Sequence, residues 1–242
     1  LLHLFDINAG FNLTQSGTKA IDFNERFDCV VCLNADIPGA EVFSSIGNIP
    51  VIAADGAANR LASMGIIPGY IIGDMDSFDP GAHPGLAEQA TIIRNPDQET
   101  NDFEKILMFA EDKGYHRILI FGFHGGELEH SLNNWSVFIR HSGQLNLCIY
   151  DKGRYGFSAC RSFRMATRPG EIVSLIPQPE ARLTTDGLRW ALKGETLKLG
   201  MREGARNRAV TSSVTITFHS GELIVFIDSR LPYAPSLSLC KP

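Results

Sequence analysis

The stretch Gly69–Asp79 reads GYIIGDMDSFD and ends an apolar run on two carboxylates one residue apart. In extended backbone, side chains two apart point the same way, so Asp74 and Asp76 can converge on one cation. A hard ion such as magnesium takes oxygen ligands and keeps water or phosphate oxygens in the rest of its shell. Gly, Asp and Ser also favour ordinary turns, but a turn does not account for same-side acids at the mouth of a buried strand. Asp55, in DGAAN (Asp55–Asn59), closes another apolar run, with small residues after it that permit close approach by a ligand. The competing role there is a helix N-cap. Asp102 and Lys105 lie about one helical turn apart; the lysine suits either transferred phosphates or a surface ion pair. Gln98 sits in the dense polar loop just before them.

Gly125-Gly126 offers backbone N–H groups at a helix start, where an anion gains from hydrogen bonds and the helix dipole. His130 and Asn134 follow four apart on that helix. His130 is a candidate ligand or base, although a lone histidine is more often a structural hydrogen-bonder. The chain has neither GxxxxGK[ST] nor GxGxxG, which argues against a Walker-type phosphate loop and a standard dinucleotide fold.

The elements that must position these groups alternate regularly. FDCVVCLNA, Pro50–Ala54, Tyr70–Ile72, Thr91–Arg94 and Arg117–Phe121 are apolar strand candidates, each followed by a polar loop and a helical pattern. Asn101 with Glu104 fits a capping box, and Phe103, Ile106, Leu107 and Ala110 form one apolar stripe. Leu128, Leu132, Trp135 and Phe138 are the expected buried side of the next helix. This pattern predicts a largely parallel, Rossmann-like α/β sheet covered on both faces, with ligands gathered at the strand carboxyl ends. Asp55, Asp74, Asp76, Asp102 and Gly125-Gly126 all fall on that rim.

After Gly143 the texture changes to short alternating strands separated by Gly, Pro and charged turns. Leu145–Tyr150 opens this region. The expectation is an α/β domain over 1–143, followed by an antiparallel β-sandwich domain over 144–242. Residues 1–26 are expected to form an edge hairpin or arm, and Pro232–Pro242 a loosely held tail. Trp190, in LTTDGLRWAL, is either an anchor of the sandwich core or an exposed platform for a flat ring.

Across 242 residues, 44% hydrophobic and 20% charged side chains describe a globular protein with material for a core. The net charge of −5 conceals an asymmetry: residues 1–143 carry 8 Lys/Arg against 19 Asp/Glu, and residues 144–242 carry 14 against 8. The acidic half is unsuited to a nucleic-acid backbone, and the basic half lacks a matched aromatic platform, so nucleic acid is not expected. No apolar run is long enough for a membrane helix. Cys29 and Cys32 have CxxC spacing but sit within an apolar strand pattern, and the odd total of 5 cysteines points to a reducing, cytoplasmic compartment.

Together these motifs resemble the thiamine pyrophosphokinase family. The resemblance rests on DGAAN (Asp55–Asn59), GDMDS (Gly73–Ser77), DQETNDFEK (Asp97–Lys105), GGELEHSLNN (Gly125–Asn134), VSLIP (Val173–Pro177) and TTDGLRWAL (Thr184–Leu192). It implies transfer of pyrophosphate from ATP to thiamine by a homodimer whose active sites lie between one subunit's α/β domain and the other's β domain. It further implies that Asp74, Asp76 and Asp102 hold magnesium and the ATP phosphates, with Gln98, Lys105, Gly125, Gly126 and His130 nearby. Asp55 and Asn59 would line the nucleotide and acceptor cleft. Trp190 from the partner would stack on thiamine, with Asn207 in the acceptor pocket. Three positions depart from the family pattern. Glu127 and Glu129 stand where the GGRxDH loop has arginine and aspartate, Gly204-Ala205-Arg206-Asn207 stands for Ser-x-Ser-Asn, and Asn101 for threonine. These departures admit a different hydroxyalkyl heterocycle as acceptor, or a non-catalytic nucleotide- or thiamine-binding relative.

Overall fold

The computed structural model describes residues 18–239; the expected arm before residue 18 and the expected tail beyond residue 239 lie outside them. Strands β1 (Lys19–Ile21) and β2 (Glu25–Arg26) lead into β3 (Cys29–Cys32). Helix and strand then alternate as α1 (Ala40–Ile46), β4 (Val51–Ala54), α2 (Asp55–Ser63), β5 (Tyr70–Gly73), α3 (Leu86–Gln89) and β6 (Thr91–Arg94). The alternation ends with α4 (Asp102–Asp112), β7 (Arg117–Phe121), α5 (Leu128–His141) and β8 (Asn146–Asp151). Strands β3 to β8 pair in parallel in the order β8-β7-β3-β4-β5-β6. All their carboxyl ends therefore open onto one rim.

The central strands are apolar throughout because helices cover both faces: Cys29–Cys32, Ile52–Ala54 and Ile118–Phe121 are all buried. Helix α4 buries Phe103, Ile106, Leu107 and Ala110, as its periodicity requires, each larger side chain contributing about 1.5–3 kcal/mol. The tight strand-to-loop turn after β7 needs glycine. Gly122 has φ +68°, and a Cβ there would meet the Leu33 carbonyl oxygen at 2.2 Å.

The remaining strands are β9 (Arg154–Ala159), β10 (Phe163–Ala166), β11 (Ile172–Asp186), β12 (Lys193–Lys198), β13 (Gly204–Arg208), β14 (Ser213–Asp228) and β15 (Tyr233–Ala234). Strands β9 to β14 form an antiparallel region built on the long β11–β14 pair, with β12 and β13 on the far side of β11, while β15 pairs with β2 in a separate two-stranded sheet. Register shifts between Pro177/Ala181 and Arg182/Leu183 break the pair, as bulges do where a strand must bend.

Several local expectations change. The strand expected to open the second region, β8, pairs in parallel with β7 and antiparallel with β9. One hydrogen-bonded path thus runs from the parallel sheet into the antiparallel region; an isolated strand's pattern cannot declare its partner. The tail after Pro232 is tied down through residue 236. Tyr233–Ala234 pairs with β2, Asn146 Nδ2 donates to the Pro235 carbonyl at 2.6 Å, and the Ser236 N–H donates to the Asp22 carbonyl at 2.9 Å. On α5 only Val137 and Phe138 are buried, while Leu128 and Leu132 are 71% and 63% exposed. The first turns of this helix line the rim cavity with His130, Asn133 and Asn134, so its buried stripe begins only in its later turns, at Val137 and Phe138.

Cys29, Cys32 and Cys148 are free and buried, and burial pushes the Cys29 and Cys32 thiols far above their ordinary range. They are core side chains, not a redox pair. Cys160 is disulfide-bonded. Among the described residues no helix is long and apolar enough to cross a membrane.

Candidate active site

A cavity of about 450 Å³ opens at the carboxyl ends of β3, β4, β5 and β7 and is closed on one side by the start of α4. Each strand end delivers a polar group: Asn34 after β3, Asp55 after β4, Asp74 and Asp76 after β5, and Gly125-Gly126 after β7. The Asp97–Asn101 loop adds Gln98, and α4 adds Asp102 and Lys105. Groups spread over more than ninety residues of sequence thus share one space.

Asp55 ties two of the loops together. Its carboxylate accepts from the Gly56 N–H at 2.5 Å and from the Met75 N–H at 3.0 Å, and the residue is 3% exposed. Gly73 makes this contact possible, because a Cβ there would lie 2.7 Å from Asp55 Cγ. The turn itself falls at Met75, φ +71°, a left-handed conformation costing a non-glycine residue roughly 1–2 kcal/mol. Beyond it, Asp74 accepts from the Asp76 N–H at 3.1 Å and from Gln98 Nε2 at 3.0 Å. The Gln98 bond, followed by the Asp76 one, holds the Asp74 carboxyl below its ordinary value. Asp76 accepts from Ser77 Oγ at 2.9 Å.

Asp55, Asp74 and Asp76 each offer a carboxylate oxygen within 4.8 Å of the others. Asp102, the expected third ligand, is not in this group: it pairs with Lys105 at 3.2 Å. Its carboxyl is raised above the ordinary value, first by burial and then by the charge of Asp55, with the Lys105 contact opposing. Lys105 is itself 6% exposed. The cavity therefore concentrates more negative charge than its one buried lysine offsets. An all-oxygen donor set under such repulsion suits a hard divalent cation, and magnesium fits the residues present.

The loop before α4 is ordered from within. Asp97 accepts from Thr100 Oγ1 at 2.5 Å and from the Glu99 N–H at 3.1 Å. Asn101 caps α4 by accepting from the Glu104 N–H at 2.9 Å. The reciprocal half of a capping box is missing, because the Glu104 carboxylate instead meets Arg140 at 2.7 Å and His141 at 3.1 Å on α5. This pair of contacts fixes α5 against α4. Gly125 has φ +109°, and a Cβ there would meet Asp36 Cγ at 2.6 Å. His130 is largely exposed on the rim and lies 3.5 Å from Glu127.

Three expected site residues stand elsewhere. Asn59 does not line the cavity. With its amide oriented to satisfy both neighbours, it donates to the Asp79 carbonyl at 3.0 Å and accepts from the Asp79 N–H at 2.8 Å, so it braces the end of the GDMDSFD loop. Trp190 is on the antiparallel region, 57% exposed and absent from the lining of this chain's cavity. Asn207 is 6% exposed with its amide taken up by the Trp190 backbone. Sequence reasoning passed over Asn34, whose position after β3 repeats that of Asp55 after β4; the strand-end rule alone would have found it.

A rim of acids, a buried lysine and a glycine loop define a protein of phosphate-transfer type built on an α/β sheet with an antiparallel extension. Residues 48–149 match the catalytic domain of thiamin pyrophosphokinase, and residues 162–223 match its vitamin B1 binding domain. The chain belongs to the thiamine pyrophosphokinase family. It is similar to thiamine pyrophosphokinase 1 of Oryza sativa subsp. japonica, 28% identical over 209 residues, covering 74% of this chain and 78% of the relative. Its fold is that of the yeast thiamin pyrophosphokinase crystal structure, with TM-score 0.72, 18% identity, and 85% and 87% of the two chains covered. The Bacillus subtilis thiamine pyrophosphokinase structure gives TM-score 0.70, 21% identity, and 84% and 100% coverage.

Proposed function

We propose that the protein transfers the β,γ-pyrophosphoryl group of ATP to the hydroxyl of thiamine, giving thiamine diphosphate and AMP. The observation that carries this reading is the convergence of Asp55, Asp74, Asp76, Asp102 and Lys105 on one cavity. The thiamine hydroxyl oxygen attacks the β-phosphorus, the bond from that phosphorus to the α,β-bridging oxygen breaks, and AMP leaves with that oxygen. Such transfer depends mainly on alignment and charge neutralisation. Asp55, Asp74 and Asp76 would hold magnesium, which supplies charge neutralisation on the phosphates when bound.

This chain's residues then divide the remaining work. Asp74 stays ionised, and Gln98 fixes its orientation. Lys105, held by Asp102, places a positive charge beside the transferred phosphates. Asp102, with its raised carboxyl, accepts or orients the hydroxyl proton. Gly125 and Gly126 bring their N–H groups to the phosphate side, with His130 on the rim beyond them. An assay of AMP formation from ATP over a panel of alcohols headed by thiamine tests the reaction. Turnover confined to another hydroxyalkyl heterocycle would move the assignment to that acceptor, a reading that the hydroxyl-free Gly204–Arg206 stretch favours. Ligand uptake without turnover would make the protein a binding relative.

We propose further that two copies share their sites, Trp190 of one closing on the cavity of the other. The support is an exposed indole away from its own cavity and the opposed charge of residues 1–143 and 144–242. Light scattering showing a monomer at assay concentration would end this arrangement. Mixing Asp74→Asn with Trp190→Ala copies should restore about a quarter of the sites, because each mixed dimer keeps one cleft with both groups intact. We take the compartment to be cytoplasmic, supported by three free thiols and opposed by the disulfide at Cys160; fractionation decides it.

A further inference from the structure

The segment around Trp190 is a stapled pedestal. Leu188 and Leu192 point inward, 4% and 6% exposed, while Trp190 between them points out. Thr185 Oγ1 accepts from the Leu192 N–H at 2.9 Å, and the Arg189 N–H donates to the Arg208 carbonyl at 2.8 Å. Gly187 turns at φ +80°, where a Cβ would meet the Ser213 carbonyl oxygen at 2.4 Å. The Trp190 peptide groups themselves are held by one side chain. Asn207 Oδ1 accepts from the Trp190 N–H at 3.1 Å, and its Nδ2 donates to the Trp190 carbonyl at 2.8 Å. The same Oδ1 also accepts from the Arg208 N–H at 2.8 Å.

The indole has little else to hold it. Among the described residues its recorded ring neighbour is the Arg189 guanidinium, 5.2 Å from the ring centre. An exposed tryptophan with so little packing keeps a fixed direction only if its backbone is fixed. An amide that mimics a strand partner, pairing with both peptide groups of one residue, does this. Asn207 is buried, and both its amide oxygen and its amide nitrogen pair with the backbone, so its first work is to hold that backbone in place.

We infer that Asn207 is a positioning residue that presets Trp190 as a platform for the acceptor's flat ring. This rests on the proposed role of Trp190 in acceptor binding. Preorganising a platform lowers the cost of ordering it when the ligand arrives, so loss of the clamp weakens acceptor binding and leaves the ATP side alone.

The test uses the full chain labelled with 5-fluorotryptophan. Its two tryptophans, Trp135 and Trp190, give two fluorine resonances, assigned by Trp190→Phe. In Asn207→Ala the Trp190 resonance should shift and broaden while that of Trp135 stays, and KM for thiamine should rise about tenfold with KM for ATP within about twofold. Asn207→Asp keeps the acceptor but turns a carboxylate oxygen toward the Trp190 carbonyl in place of the donor, and should move the Trp190 resonance at least as far. If Asn207→Ala also displaces the Trp135 resonance, the fold has changed and Asn207→Asp decides. An unmoved Trp190 resonance in the deciding variant overturns the clamp. An unchanged thiamine KM there, with a raised one in Trp190→Ala, overturns its role in binding. An unchanged thiamine KM in Trp190→Ala is instead the failure of the platform reading, and the fluorine spectra still decide the clamp.

Discussion

The acidic cavity and the Trp190 pedestal handle their polar groups in opposite ways. In the cavity, Asp55, Asp74 and Asp76 crowd their oxygens within 4.8 Å, and Asp102 is pushed up by burial and by Asp55. On the pedestal every polar group of Asn207 has a backbone partner. One region stores repulsion that a cation would relieve, and so could hold a phosphate chain only through that cation; the other is complete before any ligand arrives. Charge repulsion suits a site that must bind and release charge, and rigidity suits one that must recognise a shape.

The sharpest way to break the contrast is to remove charge from the cavity without changing its shape. Asp55→Asn should lower magnesium-dependent transfer by about a thousandfold and raise the magnesium concentration required, as a metal titration of the rate would show. A rate unchanged at every magnesium level would exclude Asp55 from the ligand set. Lys105→Met should cost about a hundredfold in kcat/KM for ATP, read from steady-state kinetics. Retention of that rate would leave the lysine as a structural partner of Asp102.

Smaller effects come from the pedestal. Trp190→Ala should raise KM for thiamine by about tenfold and leave the melting temperature nearly unchanged, since the side chain is 57% exposed. A large drop in melting temperature would make it a packing residue.

The smallest effect concerns pH. Asp102 has a raised carboxyl, so between its unfolded and folded pKa values the native state binds the extra proton and loses stability as pH rises. Asp74, with a lowered one, contributes stability above its unfolded pKa that is lost as pH falls through its folded pKa. Melts from about pH 4 to about pH 6 should show wild type losing ground to Asp102→Asn as pH rises. The opposite trend would mean that Lys105 dominates the Asp102 environment.

Much of this was legible in the chain itself. Alternating apolar strands and helices announce a parallel sheet, and a parallel sheet fixes which ends of its strands carry ligands, so Asp55, Asp74, Asp76 and Asp102 could be grouped before any coordinates. Their division of labour could not. Whether Asp55 or Asp102 joins the other two depends on Gly73 leaving room for Asp55, and on Lys105 turning toward Asp102, which are contacts across loops. Asn59 and Asn207 carry motif positions that look like ligands, yet both are spent on backbone groups far away in sequence or on another strand. The exposed Leu128 and Leu132 show the same limit. A helical stripe indicates a face but not where the underlying layer ends.

The most direct test of the central claim, that the rim acids grip a cation-bound triphosphate for transfer to thiamine, compares wild type with Asp74→Asn. The account predicts AMP and thiamine diphosphate formed one for one, only with magnesium, and lost in the variant while its melting temperature holds. Equal turnover by Asp74→Asn, or release of ADP in place of AMP, would contradict it.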